Sequence, residues 1–142
     1  MKSIKEAAEE LRISKSTLRY YDQISLVKPS REQNGYRMYS EEEITRIKYI
    51  IVMKYGDFKI DEIQTMMHSM ESEPSEDCIE RTEALLAEKQ KEFQYKIAFY
   101  QEMLSLLEAV PNLSDIDDQK ELEINNYIDR VFQKLAQKDA IK

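Results

Sequence analysis

With a single cysteine in 142 residues, the chain has no intrachain disulfide framework, and the lone thiol fits a reducing, cytoplasmic setting. Two glycines and three prolines are few beside 35% charged residues, a balance that favours long helices over a sheet-rich or disordered protein. No apolar run reaches membrane-spanning length, and no stretch combines the charge, apolar core and cleavage site of a signal peptide. No membrane partner is therefore expected. The chain also lacks a phosphate-binding glycine loop, a Cys–His pair and a metal-ligand set, so neither an enzyme nor a cofactor is expected. The one histidine, His68, has polar neighbours and reads as a surface residue.

The length suits one small domain with an extension. Net charge is −7, which at first argues against nucleic acid, but the distribution reverses that argument. Residues 1–56 hold 11 Lys+Arg against 8 Asp+Glu; residues 57–142 hold 10 against 20. A basic N-terminal part on an acidic remainder suits a protein that touches DNA at one end.

Ser3-Ile4-Lys5-Glu6 is a capping box, and Ile4, Ala7, Ala8 and Leu11 then recur on one helical face. Ser14 caps a second helix through about Gln23, after a tight turn at Arg12-Ile13. Two short helices in this space predict a helix-turn-helix, although the usual turn glycine is absent. On the second helix, Leu18, Tyr21 and Asp22 lie to one side, while Ser16, Thr17, Arg19 and Tyr20 lie to the other. Asn34-Gly35 is a strong hairpin signal, because both residues tolerate positive φ. Its flanks predict an exposed two-stranded wing in which Arg37 and Tyr39 share one face and Tyr36 and Met38 the other.

Ser40-Glu41-Glu42-Glu43 is a second capping box, followed by the apolar stripe Ile44, Ile47, Ile50 and Ile51. Gly56-Asp57 breaks that helix, and Ile60, Ile63, Met66, Met67 and Met70 mark another, with the methionines read as core. Residues 71–75 form a linker. From Glu76 to Val110 nothing interrupts a helix, which would be roughly 50 Å long. Ile79, Leu86, Phe93, Tyr100 and Leu107 recur by sevens, with Ile97 and Leu104 four residues after Phe93 and Tyr100. That is a heptad seam, and it implies a partner helix, most simply from a second copy. Pro111-Asn112 ends the coil, residues 113–119 form an acidic loop, and Leu122 to Leu135 predicts a short amphipathic helix. The expected fold is mostly α: a winged helix-turn-helix over 1–70, a linker over 71–75, a coiled-coil helix over 76–110, and a short packing or effector segment over 111–142.

The order and spacing of Thr17-Leu18-Arg19-Tyr20-Tyr21-Asp22, Leu26 with Lys28-Pro29, Asn34-Gly35-Tyr36-Arg37-Met38-Tyr39-Ser40 and the helix after them resemble the MerR family of bacterial transcription regulators. The resemblance implies a homodimer, joined by an antiparallel coiled coil, on double-stranded promoter DNA with a pseudo-palindromic site. It implies control by bending and untwisting the promoter, so that RNA polymerase is reached indirectly through DNA. By that pattern Lys15, Ser16, Thr17, Arg19 and Tyr20 would meet the major groove and nearby phosphates. Tyr21, Arg31, Tyr36, Arg37 and Tyr39 would help clamp the backbone. The dimer interface would be Ile79, Leu86, Phe93, Ile97, Tyr100, Leu104 and Leu107. Two departures stand out: Lys59 occupies a place where family members often have a capping Ser or Thr, and Gly56-Asp57 stands where Leu-Gly is common.

The inducer stays open between a small molecule and a redox signal. Cys78 is the one candidate thiol sensor, set against an inert thiol. One thiolate does not make a soft-metal site, and Asp115, Asp117 and Asp118 read as solvated acids. Tyr95 and Phe99, with Tyr127 and Phe132, could line a small pocket, although core packing is the simpler role. The competing class is an architectural, excisionase-like DNA bender without an inducer; a coil-based adaptor leaves the Arg19-Tyr20-Tyr21 chemistry unexplained.

Overall fold

The computed structural model describes residues 1–71, 73–109, 114 and 116–141. The expected coil end at Val110 to Asn112, and Leu113 and Asp115 of the acidic loop, lie outside them. Two compact units, Met1–Glu88 and Lys89–Lys142, divide within one long helix.

In the first unit, β1 (Lys2–Ser3) leads directly into α1 (Ile4–Leu11). Ser3 and Glu6 form the expected box, with the Ser3 amide donating to Glu6 Oε2 at 2.8 Å and the Glu6 amide to Ser3 Oγ at 3.3 Å. α1 ends at Arg12, whose φ of 56° supplies the left-handed turn that glycine would usually supply. α2 (Lys15–Gln23) follows, capped by Ser14, whose Oγ accepts from the Thr17 amide at 3.0 Å.

β2 (Ser30–Arg31) and β3 (Arg37–Tyr39) make the wing. β1 pairs with the other edge of β3, giving a three-stranded antiparallel sheet in the order β1-β3-β2. The extra strand carries no periodicity of its own. Lys2 Nζ ties it down, 2.6 Å from Glu10 and 2.7 Å from Glu41. Those hydrogen bonds raise the lysine pKa and lower that of Glu41. The wing turn also differs from a two-residue Asn-Gly turn. Within it only Gly35 has positive φ, at +84°. The Gly35 amide donates to the Glu32 carbonyl at 2.8 Å and the Glu32 amide to the Tyr36 carbonyl at 2.9 Å, so the loop has three residues. Asn34 contributes through its side chain, which accepts from the Tyr36 amide at 3.1 Å.

α3 (Glu41–Tyr55) and α4 (Ile60–Ser69) complete the core. Ile44, Ile47 and Ile50 of α3, with Ile63 and Met67 of α4, pack against Ala7, Leu11, Leu18, Tyr21, Leu26, Val27 and Tyr39. In the Gly56-Asp57 corner the positive φ falls on Asp57, at 60°, and not on Gly56, at −80°. The position that calls for glycine thus coincides with the second residue of the Leu-Gly pattern.

α5 (Glu76–Ala109) begins with Ser75 Oγ accepting from the Cys78 amide at 3.1 Å. In the second unit, α6 (Asp118–Ile141) starts earlier and runs longer than the Leu122–Leu135 expectation. The reason lies in the acidic loop. Asp117 Oδ1 accepts from the Lys120 amide at 2.8 Å, so this acid caps the helix. α6 returns along α5, with the Tyr127 hydroxyl donating to the Glu102 carbonyl at 3.1 Å and Lys134 3.2 Å from the Glu102 carboxylate.

The N-terminus of α4 is half capped. The Lys59 amide donates to Glu62 Oε1 at 2.8 Å, but the Lys59 side chain offers no acceptor in return. Lys59→Ser should therefore raise stability by about 0.5–1 kcal/mol, read as a higher urea midpoint at unchanged slope.

Candidate nucleic-acid interface

α2 is amphipathic in the sense that matters here. Leu18 and Tyr21 are buried, whereas Lys15, Ser16, Arg19 and Tyr20 are exposed side by side on its outer face. Thr17 is half-buried, and its hydroxyl sits 2.8 Å from Ser14 Oγ, so it serves the cap at the head of the helix. The outer face therefore presents one guanidinium, one ammonium, one aliphatic hydroxyl and one phenol, and neither cation makes an ion pair among the described residues.

The wing lies against the other end of the same helix. Asp22, in the last turn of α2, accepts two arginines on one oxygen. Arg37 Nε is 2.6 Å from Asp22 Oδ2, and Arg31 Nη2 is 3.0 Å from it. Arg31 also donates through Nη1 to the Gly35 carbonyl at 3.1 Å, which braces the loop. Both wing arginines are thus fixed in place by protein contacts. Tyr36, at the hairpin tip, is 68% exposed.

Tyr21 and Tyr39 are placed differently from the backbone clamps expected of them. Each ring is in the core, 5% and 1% exposed. Burial pushes both phenol pKa values up; for Tyr39 the nearby Arg37 opposes that shift. The Tyr39 hydroxyl is enclosed and has no hydrogen-bonding partner among the described residues. Strand alternation put Tyr39 on the same face as Arg37, and that face proves to be the one that docks on the domain.

Away from this surface, Cys78 is 1% exposed at the start of α5. It lines a cavity of about 410 Å³ together with Ile24, Arg46, Met67, His68 and Arg81. His68 Nδ1 is 3.0 Å from Glu71 Oε1, and Arg81 pairs with Asp77 at 3.2 Å. A thiol this enclosed has little access to solvent oxidants. The space expected around Tyr95 and Phe99 is closed to about 60 Å³ by Val131 and Leu135, room for a water or two. Among the described residues no group of three or more His, Cys, Asp or Glu side chains is arranged to hold a metal ion. Among the same residues no helix is long and apolar enough to cross a membrane.

The family model described as MerR HTH family regulatory protein matches residues 2–70, and that described as MerR, DNA binding matches residues 44–110. The chain is 27% identical over 116 residues to the mercuric resistance operon regulatory protein of Bacillus cereus, covering 80% of this chain and 88% of that one. A chain described as a MerR family transcriptional regulator of Listeria monocytogenes superposes with a TM-score of 0.67 at 26% identity, covering 92% and 99%. HiNmlR, described as a MerR family regulator lacking the sensor domain and solved on promoter DNA, shares the fold at a TM-score of 0.62 and 24% identity, covering 76% and 81%.

The enclosed Tyr39 hydroxyl is a net cost to the fold. Tyr39→Phe should raise stability by about 1 kcal/mol. It should also leave DNA affinity within twofold, measured by fluorescence anisotropy, because this hydroxyl does not reach the surface.

Proposed function

Because this chain belongs to the MerR family of transcriptional regulators, we propose that it binds a pseudo-palindromic promoter site as a homodimer and controls transcription by distorting the bound duplex. The observation that carries this reading is the shared exposure of Lys15, Ser16, Arg19 and Tyr20 on α2, next to a wing whose tip presents Tyr36.

In this reading the segments divide the work. Residues 1–70 bind DNA, 71–75 link, 76–110 dimerise and 111–142 form the short effector or packing segment. Arg19 is the base reader, because a guanidinium makes a bidentate pair with guanine O6 and N7 in the major groove. Lys15, Ser16, Tyr20, Tyr36 and Arg37 hold phosphates and set the register. Arg31 and Thr17 act from behind, through the wing loop and the α2 cap; Tyr21 and Tyr39 act through packing. Distortion of the spacer makes affinity depend on the deformability of base pairs the protein never touches. The net charge of residues 57–142 keeps the remainder of each subunit off the duplex.

The seam supports the homodimer. Ile97, Tyr100, Leu104 and Leu107 are 57–67% exposed, and Ile79, Leu86 and Phe93 are 36–43% exposed. α6 does not compete for it. The α5 residues facing α6 are Tyr95, Ala98, Phe99 and Glu102. At 100° per residue they lie on the side of α5 away from Phe93, Ile97, Tyr100 and Leu104. An antiparallel second copy can therefore occupy the seam with α6 in place.

Selection of binding sites from a random duplex pool tests the whole reading. An enriched inverted repeat is expected; a single asymmetric element would favour the architectural bender, and no enrichment would overturn DNA recognition. Arg19→Ala should weaken binding to the selected site by about 1–3 kcal/mol while changing random-duplex affinity far less. Ile97→Glu should convert the protein to monomer at micromolar concentration by sedimentation velocity, and retention of the dimer would remove the seam from the argument.

A further inference from the structure

Asp22 is one of only two acidic residues between positions 11 and 40, the other being Glu32 at the wing loop. Its position is unfavourable on helix grounds alone: it lies in the last turn of α2, where the helix dipole favours a cation. Yet it is largely enclosed, with a side chain 18% exposed, and one of its oxygens accepts from both wing arginines. Arg37 is enclosed to the same degree, 20% exposed, whereas Arg31 is 49% exposed, so the outer pair adds little to stability and the inner one is sheltered from solvent.

The donor atoms are more informative. Arg31 spends both terminal nitrogens inside the protein, one on Asp22 and one on the Gly35 carbonyl. Arg37 spends only Nε on Asp22. Its two terminal nitrogens have no partner among the described residues. A guanidinium held by Nε presents those nitrogens as a fixed pair of donors, the geometry that matches a phosphate. The carboxylate also cancels one of the two positive charges. The wing therefore approaches DNA with one oriented cation and not with two mobile ones.

We propose that Asp22 is a positioning residue for DNA discrimination: it aims Arg37 from the wing at a fixed offset from the α2 face, and it withholds one positive charge from sequence-blind attraction to the duplex. This rests on the reading of the chain as a DNA-binding regulator. A fixed phosphate contact sets where Arg19 falls relative to the base edges, and a mobile one does not. Sequence-blind affinity follows the number of phosphates neutralised, so an acid inside the basic surface improves the ratio of specific to random binding at a cost in total affinity.

The test uses the full chain and two duplexes, one selected from the random pool and one of scrambled sequence, titrated over a range of salt. Asp22→Asn keeps the side-chain shape and loses the charge. Its affinity for the selected duplex should fall about tenfold. Its affinity for the scrambled duplex should hold or tighten, with a salt slope steeper by about 0.9 for each phosphate newly neutralised. Asp22→Glu keeps the charge and displaces it, so the scrambled-duplex affinity and slope should match wild type while part of the preference is lost. Equal loss on both duplexes, or no change on either, overturns the proposal. Should the Asn variant fail to fold by circular dichroism, the Glu variant decides alone: unchanged preference, or uniform loss, overturns it. A wild-type protein that does not distinguish the two duplexes refutes the regulator reading itself, and this proposal with it.

Discussion

The Asp22 carboxylate is where three segments meet: the end of α2, β2 through Arg31, and β3 through Arg37. A hairpin with strands of two and three residues has little stability of its own. Its anchorage comes from elsewhere. Tyr39 buries its ring in the core, a gain on the order of 2–3 kcal/mol, and β1 adds hydrogen bonds along the free edge of β3. Those contacts hold the wing to the domain, but an apolar contact is non-directional and does not fix where a charged side chain points. Two arginines on one carboxylate oxygen do, because each guanidinium has a planar set of donors. Stability and orientation are thus assigned to different atoms of the same short sheet.

The same division runs through α2. Leu18 and Tyr21 fasten the helix from below, the Ser14–Thr17 pair closes its N-terminal end, and the remaining side chains are left for the solvent face. The left-handed turn at Arg12 holds α1 and α2 at their angle without glycine. That conformation costs a non-glycine residue on the order of 1 kcal/mol, a cost that the packing of Ala7, Ala8 and Leu11 readily offsets. A rigid frame with an uncommitted polar face is what recognition by hydrogen bonds requires, since each donor ordered in advance saves entropy at binding.

Local patterns were legible in the amino-acid sequence, and long-range ones were not. The two capping boxes and the Ile44–Ile47–Ile50 stripe follow from spacing within a single element and are found as read; the α2 outer face is found without Thr17, and the heptad positions lie along one exposed side of α5. Strand β1 escaped because two residues carry no period; it exists through its partner β3 and the Lys2 ion pairs. Alternation in β3 separated two faces without saying which one turns inward, so Tyr39 was grouped with Arg37 as a surface residue. The Asn34-Gly35 signal located the turn but not its length, because Asn34 uses its side chain where a positive φ was expected. Asp117 was read as one of several solvated acids and is a helix cap, which is why α6 begins before its first apolar residue. Asp22 itself carried a signal, an acid in the last turn of a helix within a basic stretch, but its meaning depends on arginines nine and fifteen residues away.

α5 shows how far spacing alone can carry an argument. Its seven seam side chains are each between about one third and two thirds exposed, so none is excluded from water within one chain. Burying the exposed remainder is worth roughly 1 kcal/mol for each side chain, and so on the order of 10 kcal/mol gross for two copies. Association costs about 4–15 kcal/mol in lost freedom. The gain lies inside the range of the cost, so the proposed dimer draws on the whole seam and has little to spare. An uninterrupted helix of 34 residues without glycine or proline offers that length. α6 lies on the opposite side, where Val131 and Tyr127 cover Phe99 and Glu102 and leave the seam open. A C-terminal helix on the seam side would bury the same apolar area within one chain and remove the reason to dimerise. In the proposed dimer, leaving the seam to the second copy is what spacing two recognition helices for two half-sites requires.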